Sequence, residues 1–191
     1  IKFTNVTKNI RLMITFKEIY WKSELFDCVK ALLAESFPPE ERRDMSDFER
    51  ILKTDGRFSI FVGEHDGELV GFITSWDFGT FAYVEHFAVS PAMRNHGCGT
   101  QVLKRWLEVK GKPVALEVEL PTDALTRRRV GFYERNGFVL HEDFEYLQPP
   151  YRLGDDELPL RLMTHGNCDL PLDVVAAIIK REVYDKQRNA K

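Results

Sequence analysis

The 191-residue chain has no apolar run approaching the ~20 residues that cross a bilayer, and no charged-then-apolar leader pattern at its start. Neither a membrane association nor secretion is therefore expected, and a cytoplasmic setting is the reading. Cysteine is scarce. Cys28, Cys98 and Cys168 are odd in number and share no C-x-x-C spacing, which argues against a disulfide framework and a zinc site, so no metal is expected. Charge of one sign is lacking too: 27 Lys and Arg stand against 30 Asp and Glu, a net charge of −3 that gives no general attraction to nucleic acid. There is no internal repeat and no low-complexity tract. What remains is an ordinary globular composition, long enough to bury a core of its own.

The segment 1–12, ahead of Met13, is expected to be a non-native or disordered extension, and one domain is expected over 13–191. Within it, "ITFKEI" alternates as a short strand. "SELFDCVKALLAESF" reads as a helix with Ser23 as N-cap, and "PPEERRD" breaks it before a second helix, "SDFERILK". "FSIFVGEHDGELVGFITSWDF" is two strands about an Asp66-Gly67 turn, and "FAYVEHFAVS" a third. Then follow the helix "GTQVLKRWLEVKG" closed by Gly111, the strand "PVALEVEL", the helix "DALTRRRVGFYERNG" and two late strands, "FVLHEDFEYL" and "LPLRLMTH". An amphipathic pattern over about 170–186 predicts a last helix packed on the outside. The order β-α-α-β-β-β-α-β-α-β-β plus that helix is α+β, a mixed central sheet flanked by helices. One parallel crossover is expected, around 83–119.

The most informative stretch is "VSPAMRNHGCGTQVL", where Gly97 and Gly99 open a helix behind an arginine. Glycine there lets something approach the backbone, and the unpaired amides of a helix start favour an anion, phosphate or pyrophosphate. A P-loop would need a lysine after Gly99, and a dinucleotide fingerprint a third glycine where Val102 stands; neither fits. "RNHGCG" does fill Arg-x-x-Gly-x-Gly, and "GFYERNGF" at 131–138 supplies a second signature downstream. Together these resemble the coenzyme A loop and the following Phe-Tyr-Glu helix end of the GNAT superfamily of N-acetyltransferases. The resemblance covers about 14–164 and leaves the final helix outside.

The resemblance implies acetyl-CoA as cosubstrate and a small-molecule or peptide amine as acceptor, in a monomer or homodimer. It implies that the main chain of Phe87, Ala88 and Val89 bonds the pantetheine arm as an added strand would. Amides of Asn95, His96, Gly97, Cys98, Gly99 and Thr100, helped by Arg94, would hold the pyrophosphate, and Tyr133 would stand by the sulfur as general acid. Thr126 occupies the place of an asparagine that reaches the cofactor arm in many members, and one of Arg127, Arg128 and Arg129 is a candidate for the 3′-phosphate. From the residues themselves, Glu85 interrupts an apolar strand. Alternation places it on one face with Tyr83, Phe87 and Val89, lining a cleft as general base, while His86 packs on the other side. Phe37, Glu40, Glu41, Trp76, Tyr146 and Tyr151 are candidate acceptor walls. The alternative to catalysis is a domain that binds acyl-CoA without transferring it.

Overall fold

The computed structural model describes residues 13–186, so the segment 1–12 lies outside the described residues. Eight strands form one sheet in the order β1-β2-β3-β4-β5-β8-β6, with β7 pairing β8 beside this path. The strands are β1 (Thr15–Ile19), β2 (Phe58–His65), β3 (Glu68–Asp77), β4 (Ala82–Val89), β5 (Val114–Glu119), β6 (Val139–Leu140), β7 (Tyr146–Gln148) and β8 (Leu158–His165). The β2–β3 turn is the expected one, with Asp66 and Gly67 at φ of 50° and 83°. Only β4 and β5 run parallel, joined by α3 (Cys98–Lys110).

The stretch expected as one strand over "FVLHEDFEYL" is two, β6 and β7, because His141 to Glu145 turn away from the sheet between them. The helix after β1 is α1 (Phe26–Ser36), with Leu25 at its N-cap position; Ser23, expected there, accepts instead from Leu25 N at 3.3 Å in the turn before it. Next come α2 (Met45–Thr54), and later α4 (Ala124–Arg135), started by a capping box between Asp123 and Thr126.

Two apolar layers cover the sheet. One holds α3 and α4 through Val102, Leu103, Trp106 and Val130. The other holds α1 and α2 through Val29, Leu33, Phe48 and Ile51. This second layer also contains the last helix, α5 (Leu172–Ile179), which runs on as a π-helical segment, Lys180–Asp185. Val175, Ile179, Val183 and Tyr184 are each at most 2% exposed. The expected outer packing of this helix is thus corrected: it completes the core. Burying a side chain of this size favours folding by ~1.5–3 kcal/mol relative to leaving it exposed, which is why the apolar face goes inward.

Candidate active site

Two irregularities in the strands shape the site. In the β3–β4 ladder Thr74 pairs His86 while Ser75 pairs Val84, so Glu85 is the extra residue of a β-bulge. An extra residue shifts the phase of alternation. Ala82 and Val84 before the bulge face the α3/α4 layer, and Phe87 and Val89 after it face the same layer, while Tyr83 and Ala88 face the other. The expectation that Tyr83, Glu85, Phe87 and Val89 share a face is therefore overturned. Glu85 and His86 both turn toward the α1/α2 layer, where Glu85 meets Trp76 and His86 meets Phe37.

The second irregularity is a parting of strands. Registered pairs between β4 and β5 stop at Val84–Leu116, although both strands continue to Val89 and Glu119. Beyond that point one edge of β4 has no strand beside it. Consistent with an open main chain, Glu85 is half-buried as a residue while its side chain is only 1% exposed. Phe87 and Val89 are half-buried as well, and Ala88 is buried.

At the end of this open edge comes the glycine loop. Gly97 takes φ of 75° as the N-cap of α3, a left-handed conformation that disfavours any side chain. Gln101 is the first residue of the turn whose N–H reaches a backbone acceptor, Gly97 O at 3.2 Å, so the amides of Asn95 through Thr100 take none among the described residues. A Cβ on Gly99 would lie 3.3 Å from Val89 Cγ2 and 3.6 Å from the Phe132 ring, closing the floor between loop and strand. Arg94 to Gly97 are exposed and Cys98 is buried beneath them, its thiol pushed up by burial. The Arg94 Nε donates to Val89 O at 3.0 Å, and Arg128 Nη2 donates to Asn95 Oδ1 at 2.5 Å, tying α4 to the loop. An open strand edge leading to free, outward amides beside an arginine fits a long ligand with an anionic middle. Thr126 is not free to join them: its hydroxyl accepts from Asp123 N and closes the capping box.

Tyr133 lies at 8% exposure against Phe132 and Phe138, and its hydroxyl takes no hydrogen-bond partner among the described residues. Burial first, and then Glu119 against the opposing pull of Arg129, raise its pKa to about 12. Glu119, on the free end of β5, ion-pairs with Arg129. It also acts on Glu41, whose carboxyl is raised by burial and then by Glu119. One acidic residue thus acts on Tyr133 in the α4 layer and on Glu41 in the segment between α1 and α2.

Glu85 has both carboxylate oxygens committed. Oε1 takes Arg43 Nε at 2.9 Å and Oε2 takes Trp76 Nε1 at 2.7 Å. Arg43, 5% exposed, also donates from Nη2 to Val183 O at 2.6 Å and lies over the Tyr151 and Trp76 rings. This is a buried ion pair that pins the segment ahead of α2, β4 and the terminal segment together. His86 is buried beside it, bonding Glu41 O at 3.1 Å and Thr74 Oγ1 at 3.2 Å, and burial lowers its pKa.

A second carboxylate, that of the half-buried Glu117 on β5, has no ion pair among the described residues. Tyr146 donates to Oε1, and Tyr184 donates to Oε2 at 2.7 Å. Burial raises its pKa to about 7, against the hydroxyls of Tyr146, Tyr184 and Tyr83 that lower it; of these, Tyr146 and Tyr184 bond the carboxylate directly. The reading of the sequence passed over Glu117. The signal was the one used for Glu85: a charge inside an otherwise apolar strand, "PVALEVEL". Phe37 and Trp76, named as acceptor walls, pack against His86 and Glu85; Tyr146 and Tyr151 belong to this second carboxylate's surroundings, and Glu40 is exposed.

Among the described residues, no group of three or more His, Cys, Asp or Glu is placed to hold a metal, and no helix is long and apolar enough to cross a membrane. A family profile described as the acetyltransferase (GNAT) family matches residues 16–138. A structure from Bacteroides thetaiotaomicron assigned to the GNAT acetyltransferases is 41% identical, at a TM-score of 0.83 over 90% of this chain and 98% of that one. The ribosomal-protein-S18-alanine N-acetyltransferase of Escherichia coli is 20% identical, at a TM-score of 0.59 over 84% of this chain and 100% of its own. Arabidopsis thaliana NAA60 in complex with acetyl-CoA is 18% identical, at 0.60 over 80% of this chain and 98% of its own. The last two share the fold. A search of curated protein sequences finds no significant match.

Proposed function

The chain belongs to the GNAT family of acetyltransferases, and from that premise we propose that it moves an acetyl group from acetyl-CoA to a primary amine by direct attack in a ternary complex. The observation that carries this reading is the parting of β4 from β5 beyond Val84–Leu116, which leaves one edge of Phe87 to Val89 without a neighbouring strand ahead of the glycine loop.

Acetyl-CoA, when bound, supplies an acyl carbon activated as a thioester. The main chain of Phe87, Ala88 and Val89 binds its arm along the open edge of β4, and the amides of Asn95 to Thr100 with Arg94 hold its pyrophosphate. Arg128, held by Asn95 beside that loop, is the member of the arginine triplet placed to meet the 3′-phosphate.

An alkyl ammonium has a pKa of ~10.4, so a base must take its proton before it attacks. Glu117, titrating at about 7, is matched to that task at neutral pH. Glu85 was the expected base; with an arginine on one oxygen and an indole on the other, it serves as the counter-ion that keeps Arg43 in place. Tyr83, on the same strand, is a phenol held well above its ordinary value by burial and does not serve as base. As the carbon–sulfur bond breaks and the amide forms, the Tyr133 hydroxyl gives its hydrogen bond, and then its proton, to the leaving sulfur.

The test is release of free thiol from acetyl-CoA over a panel of primary amines, with the acetylated product identified by mass. Coenzyme A binding without thiol release from any amine would leave a binding module and overturn the enzymatic reading.

A further inference from the structure

The matched family region ends at Phe138, yet one of the two hydroxyls bonded to Glu117 comes from the far end of the chain. Tyr184 lies on the π-helical segment Lys180–Asp185, where Glu182, Val183 and Tyr184 are three consecutive buried residues. A regular α-helix turns ~100° per residue and would carry one of three neighbours toward solvent. The widened turn keeps Tyr184 over Glu117 while the Val183 carbonyl accepts from Arg43. Such insertions often mark functional positions.

The hydrogen bonds here have a direction. Tyr184 has one hydroxyl hydrogen and donates it to Glu117, so the 3.0 Å contact between Tyr83 and Tyr184 is a donation from Tyr83. Each donation polarises the next group in line. Tyr151 packs against the Tyr184 ring at 5.0 Å with the two rings tilted by 51°, and Arg43 lies over the Tyr151 ring.

We propose that Tyr184 is the positioning residue of Glu117: donating from the terminal helix, it orients the carboxylate and holds it ionised at neutral pH, which makes that helix part of the active site. This rests on the reading of Glu117 as base. The titratable and charged groups around Glu117 are Tyr83 and Glu85 from β4, Tyr146 from β7, Tyr151 from the segment after it and Tyr184 from the terminal segment; Arg43 is bound to Glu85, and Lys180 lies over the Tyr146 ring.

The test follows Glu117 itself, by carbon-13 NMR of the side-chain carboxyl in glutamate-labelled protein, the resonance being assigned by its loss in Glu117→Gln. Tyr184→Phe keeps the ring and removes the donor, so the titration should move up by about one pH unit. The acid limb of kcat/KM, measured with an amine found active in the thiol-release panel, should move with it, while acetyl-CoA affinity stays within twofold. A uniform loss of rate with an unmoved titration would mean that Tyr184 is only structural, and the proposal falls. If Tyr184→Phe does not fold, Tyr83→Phe weakens the same donation from one step back and should raise the titration by a few tenths of a unit; no movement overturns the proposal. Should Glu117→Gln keep the acid limb, Glu117 is not the base, and the NMR titration still decides whether Tyr184 governs its carboxyl.

Discussion

Replacing Glu117 by glutamine should make the protein slower and, above neutral pH, more stable. The carboxyl of Glu117 titrates at about 7 where an ordinary glutamate titrates at 4.5. Between those values the folded protein binds a proton that the unfolded chain has released, so stability falls as pH rises from about 4.5 to about 7 and is level beyond. At about 1.4 kcal/mol per pH unit the full difference is about 3 kcal/mol, the cost of holding this carboxylate ionised in the folded state. Glutamine keeps the shape without the charge. Its amide can accept from one of Tyr146 and Tyr184 but meets the other with N–H groups, which costs about 1 kcal/mol in a weakened hydrogen bond.

Urea unfolding of both proteins at pH 5 and pH 8 measures the balance. Other titrating groups, such as Glu182, held down near 2 by Arg57 and Lys186, are the same in both and cancel in the difference. The variant should be near parity with wild type at pH 5 and about 2 kcal/mol more stable at pH 8, while transfer falls by a factor of about 10²–10⁴. A stability difference that does not grow with pH would show that the Glu117 carboxyl carries no burial cost in the fold, and the argument for it as a neutral-pH base would collapse.

Glu85→Gln should do the opposite: Arg43, 5% exposed, loses its counter-ion, stability falls by about 3–5 kcal/mol, and the acid limb of kcat/KM stays in place in what remains folded. A shifted limb would return the base to Glu85. For Gly99→Val, a branched side chain enters between Val89 and Phe132 at the start of α3, and the rise in melting temperature with acetyl-CoA should vanish; in wild type a ligand at 100 times its Kd adds ~2.7 kcal/mol. Tyr133→Phe keeps the packing against Phe132 and Phe138, so kcat should drop by about 10²–10⁴ with coenzyme A affinity unchanged. Unchanged kcat under rate-limiting transfer would reduce Tyr133 to a core aromatic.

Much of the loop and turn geometry could be read in the sequence because it is written in local chemistry. Gly97 needs its left-handed φ where the loop becomes a helix, Gly111 closes that helix at φ of 58°, and Asp66-Gly67 forms its turn, each from its own neighbours. The surroundings of Glu85 and Glu117 are assembled from residues far apart in the chain. The bulge at Glu85 exists only in register with Thr74 and Ser75, so period-two alternation put Phe87 and Val89 on the face of Tyr83 and Glu85, which they do not share. The amphipathic pattern of the last helix was visible, but the π turn that brings Tyr184 to a carboxylate 67 residues earlier leaves no pattern in "KREVYD".

The two buried carboxylates explain why one strand interruption was easy to mistake for the other. Each is a charge in an apolar strand and each takes an aromatic donor, Trp76 for Glu85, Tyr146 and Tyr184 for Glu117. Arg43 separates them: its Nε bonds Glu85, whereas the donors on Glu117 are neutral hydroxyls. Because Arg43 also bonds the Val183 carbonyl, the group that occupies Glu85 Oε1 also anchors the terminal segment that carries Tyr184 over Glu117. A substitution at Arg43 would therefore disturb both carboxylates, and its effect on rate could be assigned only alongside the separate glutamine variants of Glu85 and Glu117.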